Sequence, residues 1–294
     1  MKGIFEGVCV ALVTPFINNK IDFDALKILI EKNINEGVDA ICILGTTGEA
    51  STISYKEREK IIAVTKKQIA QRVKLIVGCG SNNFEVAKNY ILQAKKYNVD
   101  GALVVTPYYN KTTQKGIVIF YKKLCELGLP IIAYNVPSRT GLNIELKTIN
   151  SLCKIKNLVG IKESTQDINR IINLCKICSK KICVYSGEDN LNCIFYILGA
   201  NGCISVTANC YCKNVKEIFD LAKRQKIKKA IKLQFCLDKI NEALFLETNP
   251  VPIKTLLNEK GYIKNEVRLP LVEMSNKNKN KLLKSVKKYN QKMR

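Results

Sequence analysis

Two stretches of this chain end apolar runs in groups that a packed core would not select. The first is YNVPSRTG at Tyr134–Gly141, and the second is LVGIKES at Leu158–Ser164. In the second, Lys162 follows Leu-Val-Gly-Ile directly. An amine at the mouth of an apolar cavity is stripped of water, which favours its neutral, nucleophilic form and suits Schiff-base chemistry. A lysine that merely caps a strand and pairs with Glu163 or Glu49 is the plainer alternative. Tyr134 puts a phenol where an aliphatic side chain would pack more simply, and it reads either as a proton-handling group or as a core tyrosine. Arg139 offers a fork that fits a carboxylate, although a loop arginine on the surface has the same local sequence. Thr46 and Thr47 lie between glycines in GTTGE, where amides and hydroxyls could hold an anion or simply form a turn.

The chain contains no histidine. That excludes Ser-His and Cys-His nucleophile pairs, histidine metal ligands and a histidine base, so proton transfer falls to Tyr, Lys, Asp, Glu or water. Thirteen cysteines are scattered, mostly in apolar runs. This fits buried thiols in a reducing compartment, hence the cytoplasm, better than a disulfide framework. The one suggestive spacing, Cys175-Lys-Ile-Cys178, falls in a predicted helix with no second pair to complete a zinc site, and packing is the expected role.

The residues that carry chemistry need elements to position them. Apolar runs predict strands at Val8–Val13, Ala40–Leu44, Lys74–Val77, Ala102–Val105, Ile131–Tyr134, Val159–Ile161, Ile182–Tyr185 and Cys203–Val206. Helix-type periodicity fills the gaps, including a capping box at Ser54-x-x-Glu57. Eight strands alternating with helices predict a (β/α)8 TIM barrel. A doubly wound open sheet is the rival, and it would favour a GxGxxG that is absent here; Gly78-Cys79-Gly80 is too short. Strand signals stop near Tyr211. We therefore expect a catalytic barrel over residues 1–224 and a C-terminal helical extension over 225–294, packed on the barrel. In such barrels reactive groups gather at the C-terminal strand ends, which is where these motifs fall.

The net charge of +23 comes largely from dispersed lysines. The densest stretch, Asn276–Arg294, has apolar positions at helical spacing and reads as a solvated amphipathic helix, with no nucleic-acid-binding motif. No run approaches the roughly 20 apolar residues of a membrane span, and Glu6 spoils the N-terminus as a signal peptide. Neither nucleic-acid nor membrane partners are expected.

In order along the chain, GTTGE, VTPYYN, YNVPSRTG, GIKES, SGED and ISVTAN resemble the dihydrodipicolinate synthase family. That family sits in the pyruvate-dependent class I aldolase superfamily with N-acetylneuraminate lyase, and the resemblance continues through NPVPIK and RLPL. It implies condensation of pyruvate with L-aspartate 4-semialdehyde in the diaminopimelate route to lysine, without a metal or organic cofactor. By the resemblance, Lys162 is the Schiff-base lysine and Tyr134 shuttles protons. Thr46 links Tyr134 to Tyr109, which enters a neighbouring subunit's site. Thr47 holds the pyruvate carboxylate, Arg139 holds that of the semialdehyde, and Gly187 and Ile204 line the pocket. The family's usual assembly is a homotetramer of two tight dimers, some members stop at the dimer, and Tyr109 leads us to expect at least the dimer.

Relatives bind lysine as a feedback inhibitor at positions corresponding to Ala50, Ser51, Tyr55, Arg58, Asn82, Val86 and Tyr108. Here Val86 replaces the glutamate that would hold the amine, and Tyr55 and Arg58 replace histidines, so weak or absent inhibition is expected. Two rival functions remain open on sequence. One is a sibling aldolase or lyase acting on a sugar acid. The other is a non-catalytic binding barrel with a basic tail.

Overall fold

The computed structural model describes residues 3–292, so Met293 and Arg294 of the basic tail lie outside it. Eight parallel strands form a closed barrel: β1 (Gly7–Ala11), β2 (Ala40–Ile43), β3 (Lys74–Gly78), β4 (Gly101–Val105), β5 (Ile131–Asn135), β6 (Leu158–Glu163), β7 (Cys183–Ser186) and β8 (Gly202–Ser205). Each strand pairs with the next in sequence, and β8 returns to β1 through Val8 opposite Cys203. The open-sheet alternative is thereby ruled out. Each predicted strand is present with ends shifted by one or two residues. Sequence reading missed a short hairpin, Phe16–Ile17 with Lys20–Ile21.

The helices are α1 (Phe23–Asn35), α2 (Tyr55–Ile69), α3 (Phe84–Lys96), α4 (Gln114–Cys125), α5 (Leu146–Leu152), α6 (Ile168–Cys178), α7 (Asn192–Ile197) and α8 (Ala208–Lys223). Three more, α9 (Ile227–Ala243), α10 (Val251–Glu259) and α11 (Asn276–Lys292), follow. Side-chain caps start several of them. Ser54 and Glu57 form both halves of the capping box of α2, satisfying two amides that would otherwise lack partners.

Alternation along the strands sorts the apolar residues into two layers. Val8, Val10, Ile41, Ile43, Val77 and Val104 face outward against the helices, in the larger core. Cys9, Ala40, Cys42, Ile76, Ile132 and Ile204 face inward and fill the barrel. The barrel is closed below by Phe5, stacked on Tyr185 with ring centroids 4.4 Å apart, while the Tyr185 hydroxyl donates to the Phe5 carbonyl at 2.9 Å. Filling the lower lumen with side chains leaves room for a ligand only at the upper, C-terminal end of the strands.

Candidate active site

A strand irregularity aims the lysine. Opposite β5, Ile131 pairs with Leu158 but Ile132 pairs with Gly160, so Val159 is an extra residue, a bulge. Leu158 and Ile161, three apart, both pack outward, which strict alternation would forbid. With a regular strand Lys162 would share the outward face of Leu158. The bulge turns it into the lumen, in register with Tyr134 on one side and Tyr185 on the other. Gly160 is required beneath it, because a Cβ there would stand 2.9 Å from the Tyr185 ring.

Above this layer opens a cavity of about 540 Å3, lined by Thr46, Thr47, Tyr134, Arg139, Lys162 and Gly187 among others. Lys162 is 6% exposed, and its Nζ lies 4.3 Å from the centroid of the Tyr134 ring. The two carboxylates that the sequence offered as its partners are engaged elsewhere, while Glu188 lines the same cavity. Glu163, fully buried, bonds Arg170 at 2.8 Å and accepts from Asn135. Glu49 bonds Lys254 at 2.6 Å. The strand-capping ion pair left open by the sequence is therefore not formed. Burial pushes the Glu163 carboxyl up, and Arg170 and Asn135 oppose that shift.

Ser164 donates to the Gly187 carbonyl at 3.1 Å and stands 3.5 Å from the Tyr134 hydroxyl. Gly187 has to be small: an added Cβ would lie 2.4 Å from the Ser164 hydroxyl and 2.8 Å from the Lys162 Cε. On the opposite wall, Asn249 donates to the Thr47 hydroxyl at 3.0 Å while its carbonyl accepts from Arg139 at 3.1 Å. One residue from the segment between α9 and α10 thus ties the GTTGE turn to the arginine. Arg139 sits in a single helical turn, Pro137–Thr140, directly after β5.

The remaining predicted residues fall outside this cluster. Ile204 is 1% exposed and belongs to the barrel filling below the cavity, whose wall is formed by Val206 instead. Tyr109 is 93% exposed with φ +69°. Within one chain it reaches none of the other site residues. Holding a tyrosine in the left-handed region costs on the order of 1 kcal/mol, so its outward display is imposed by the loop.

Ala50, Ser51, Arg58 and Tyr108 line an adjoining cavity of about 400 Å3. Arg58, 1% exposed, donates to the Gly78 carbonyl at 2.7 Å and stacks on the Tyr90 ring at 3.7 Å. Tyr55 joins that cluster, its ring centroid 6.3 Å from that of Tyr90. Val86 lies in the first turn of α3, capped by Asn83, and the Asn82 carbonyl accepts from Asn110.

Sequence reasoning overlooked Ser164, Phe245, Thr248 and Asn249 as cavity residues, whereas Glu188 was in view at the barrel rim within SGED. Ser164 ends the LVGIKES stretch and Asn249 opens NPVPIK, so both were in view as motif members. Burial pushes the Glu188 carboxyl up, reinforced by Asp189. Among the described residues no cluster of His, Cys, Asp or Glu could hold a metal ion, and no helix is long and apolar enough to cross a membrane.

Comparison with known proteins decides the family of the chain. The model of the dihydrodipicolinate synthetase family matches residues 4–289. The chain belongs to that family. It is 46% identical to the 4-hydroxy-tetrahydrodipicolinate synthase of Thermodesulfovibrio yellowstonii, over 95% of this chain and 96% of the relative. The crystal structure of the dihydrodipicolinate synthase of Aquifex aeolicus superposes with a TM-score of 0.95 at 42% identity, covering 97% of this chain and 98% of that one. The Acinetobacter baumannii synthase, solved in complex with pyruvate, gives 0.95 at 38% identity over 97% and 99% of the two chains. Family membership makes the chain a lyase with a (β/α)8 barrel, as the motifs implied.

Proposed function

We propose that this cavity condenses pyruvate with L-aspartate 4-semialdehyde, the reaction of a 4-hydroxy-tetrahydrodipicolinate synthase in lysine biosynthesis. The observation that carries it is a buried lysine turned into the cavity by a bulge, beside a tyrosine, with Glu49 and Glu163 engaged elsewhere.

In this mechanism the Lys162 amine attacks the ketone carbon of pyruvate and water leaves, giving an iminium. The iminium is the electron sink, so loss of a methyl proton yields an enamine without any metal. Tyr134, with Ser164 beside its hydroxyl, moves the protons. The enamine carbon adds to the aldehyde, and the substrate's own amine then displaces Lys162 as the ring closes. Thr47, held by Asn249, takes the pyruvate carboxylate, and Arg139, fixed by the Asn249 carbonyl, takes the second carboxylate.

Thr46 lines the cavity, and in this reading it links Tyr134 to a second tyrosine that completes the proton path. The displayed Tyr109 supports a partner subunit as its source, in a homotetramer of tight dimers in the cytoplasm. The helices from residue 225 onward act as an extension of the catalytic barrel in this reading. Lysine feedback is weak or absent in it: Val86 brings no carboxylate, and Arg58 is committed to Gly78 and Tyr90.

The test is intact-mass measurement after borohydride reduction in the presence of pyruvate, followed by peptide mapping. A single adduct on Lys162 supports the reading. No adduct, or one on another lysine, overturns it.

A further inference from the structure

Among the described residues the Arg139 side chain makes one hydrogen bond, to the Asn249 carbonyl. Its place otherwise depends on the segment that carries it, residues 136–145, which leaves β5 and enters α5. Side chains from three elements grip the far limb of that segment, residues 143–145. Asn135, the last residue of β5, accepts from the Ile144 amide at 3.0 Å and donates to the Asn143 side chain at 2.9 Å. Gln114, the first residue of α4, donates to the Asn143 carbonyl at 2.8 Å and accepts from the Glu145 amide at 3.1 Å. Arg170, in the first turn of α6, donates to the Ile144 carbonyl at 2.8 Å.

The same Asn135 also reaches the strand of the lysine. Its amide donates to the two oxygens of Glu163 at 2.9 and 3.0 Å, and Arg170 bonds that carboxylate at 2.8 and 3.1 Å. Asn135 stands opposite Glu163 in the pairing of β5 with β6, one step beyond Tyr134 opposite Lys162. Side chains alternate along a strand, so Tyr134 and Lys162 face the cavity while Asn135 and Glu163 face away from it. Asn135 is fully buried and its amide is engaged at both ends, so it fixes the groups it binds and is not free to take a ligand.

We propose that Asn135 and Gln114 are positioning residues for the second substrate, holding the Arg139 segment in fixed relation to Lys162. The inference rests on the proposed function, in which Arg139 takes the carboxylate of the semialdehyde. The two sides of the clasp separate cleanly. Without the Asn135 side chain, β6 keeps the Ser164 amide on the Asn135 carbonyl at 3.0 Å and the Gly187 amide on the Glu163 carbonyl at 2.8 Å. Glu163 also keeps Arg170, so Lys162 stays in place. The Arg139 segment, by contrast, loses its anchor at Asn143 and Ile144. Gln114 is half-buried and lines neither the site cavity nor the adjoining one, so its route to the reaction runs through that segment.

The experiment uses the full chain and measures KM for each substrate, with borohydride trapping by pyruvate counting the competent sites. Asn135→Ala should raise KM for L-aspartate 4-semialdehyde about 10–100-fold, and Gln114→Ala about 3–10-fold. Trapping with pyruvate alone should stay within about twofold of the parent rate in both. In an Arg139→Ala background, adding Gln114→Ala should change the semialdehyde KM no further, because the glutamine acts through the guanidinium. A merely structural role would reduce the number of trapped sites and leave the KM of those that remain unchanged. Should Asn135→Ala not fold, Gln114→Ala, at the outer end of a helix, carries the test. An unchanged semialdehyde KM in a folded variant, an equal loss in pyruvate trapping, or additive effects with Arg139→Ala would each overturn the proposal. A parent that pyruvate and borohydride do not label would overturn the functional reading itself, and this inference with it.

Discussion

Two lysines of this barrel lie buried over aromatic rings, and their surroundings separate them. Lys254 is wholly buried, 4.2 Å from the centroid of the Phe16 ring, and its Nζ bonds Glu49 at 2.6 Å. The other oxygen of Glu49 accepts the Arg268 amide at 3.0 Å, so the carboxylate is satisfied on both sides. Burial pulls the Lys254 pKa down and Glu49 opposes that pull. Lys162 is nearly as buried and lies 4.3 Å from the Tyr134 ring, yet among the described residues it has no ion-pair partner. Two buried lysines over rings therefore need not share a role. One joins the GTTGE turn to α10 through a carboxylate; the other faces an open cavity and makes no ion pair among the described residues.

The comparison breaks first on activity. Lys162→Ala should lower kcat by at least about a thousandfold, roughly 4 kcal/mol, and abolish borohydride trapping, while the urea midpoint stays within experimental scatter of the parent. Lys254→Met should do the reverse. It leaves the Glu49 carboxylate buried without its ammonium, a loss of about 3–5 kcal/mol in urea unfolding. Whatever protein remains folded should still be trapped by pyruvate and borohydride. Adding Glu49→Leu should recover much of the stability, because an apolar pair of similar volume replaces the ion pair without stranding a charge. If Lys254→Met instead lost trapping in folded protein, the assignment of separate roles would fall.

The barrel strands and the lysine's place at the rim were legible in the sequence because both follow from local rules. Alternating or continuous apolar runs end in Gly, Pro or polar clusters, and the functional motifs begin where the runs stop. Long-range pairing was not legible. Lys254 is 205 residues from Glu49, and Asn249 is 202 residues from Thr47. No periodicity in a single sequence ties such positions together, so Glu49 stayed open as a partner for Lys162. The bulge at Val159 was hidden for a related reason. LVGIK looks like any buried strand, and only its register against β5 shows which side chains turn inward. Tyr109 shows the opposite limit: its motif was readable, but in the single chain its side chain is exposed.

A smaller effect sharpens the Lys162 side. In Gly187→Ala, the new methyl would sit 2.8 Å from the Lys162 Cε and 2.4 Å from the Ser164 hydroxyl. The side chains must shift, and misplacing a nucleophile by a fraction of an ångström should lower kcat about 10–100-fold. Trapping should slow in parallel, since iminium formation uses the same amine. Full-rate trapping with reduced turnover would move the role of Gly187 to the second substrate.

The smallest effect lies at the rim of the Lys254 network, where Arg268 meets Glu57 in a contact of 2.6 Å. Hydrogen bonds from Arg268 hold the Glu57 carboxyl down to about 2, with the Ser54 cap assisting and burial opposing. The folded-state pKa is depressed, so the pair adds stability above the usual carboxylate range and loses it as the pH falls towards about 2. The contact is partly open to solvent, and screening reduces the pair itself to about 0.5–1 kcal/mol near neutrality. Glu57→Gln, which keeps the size of the side chain and leaves Arg268 over the Phe16 ring, 4.5 Å from its centroid, should therefore cost about that much in urea unfolding near neutral pH. The difference from the parent should shrink steadily on acidification. A difference that persisted unchanged at low pH would assign the loss to the capping box of α2, which Glu57 also completes, and not to charge.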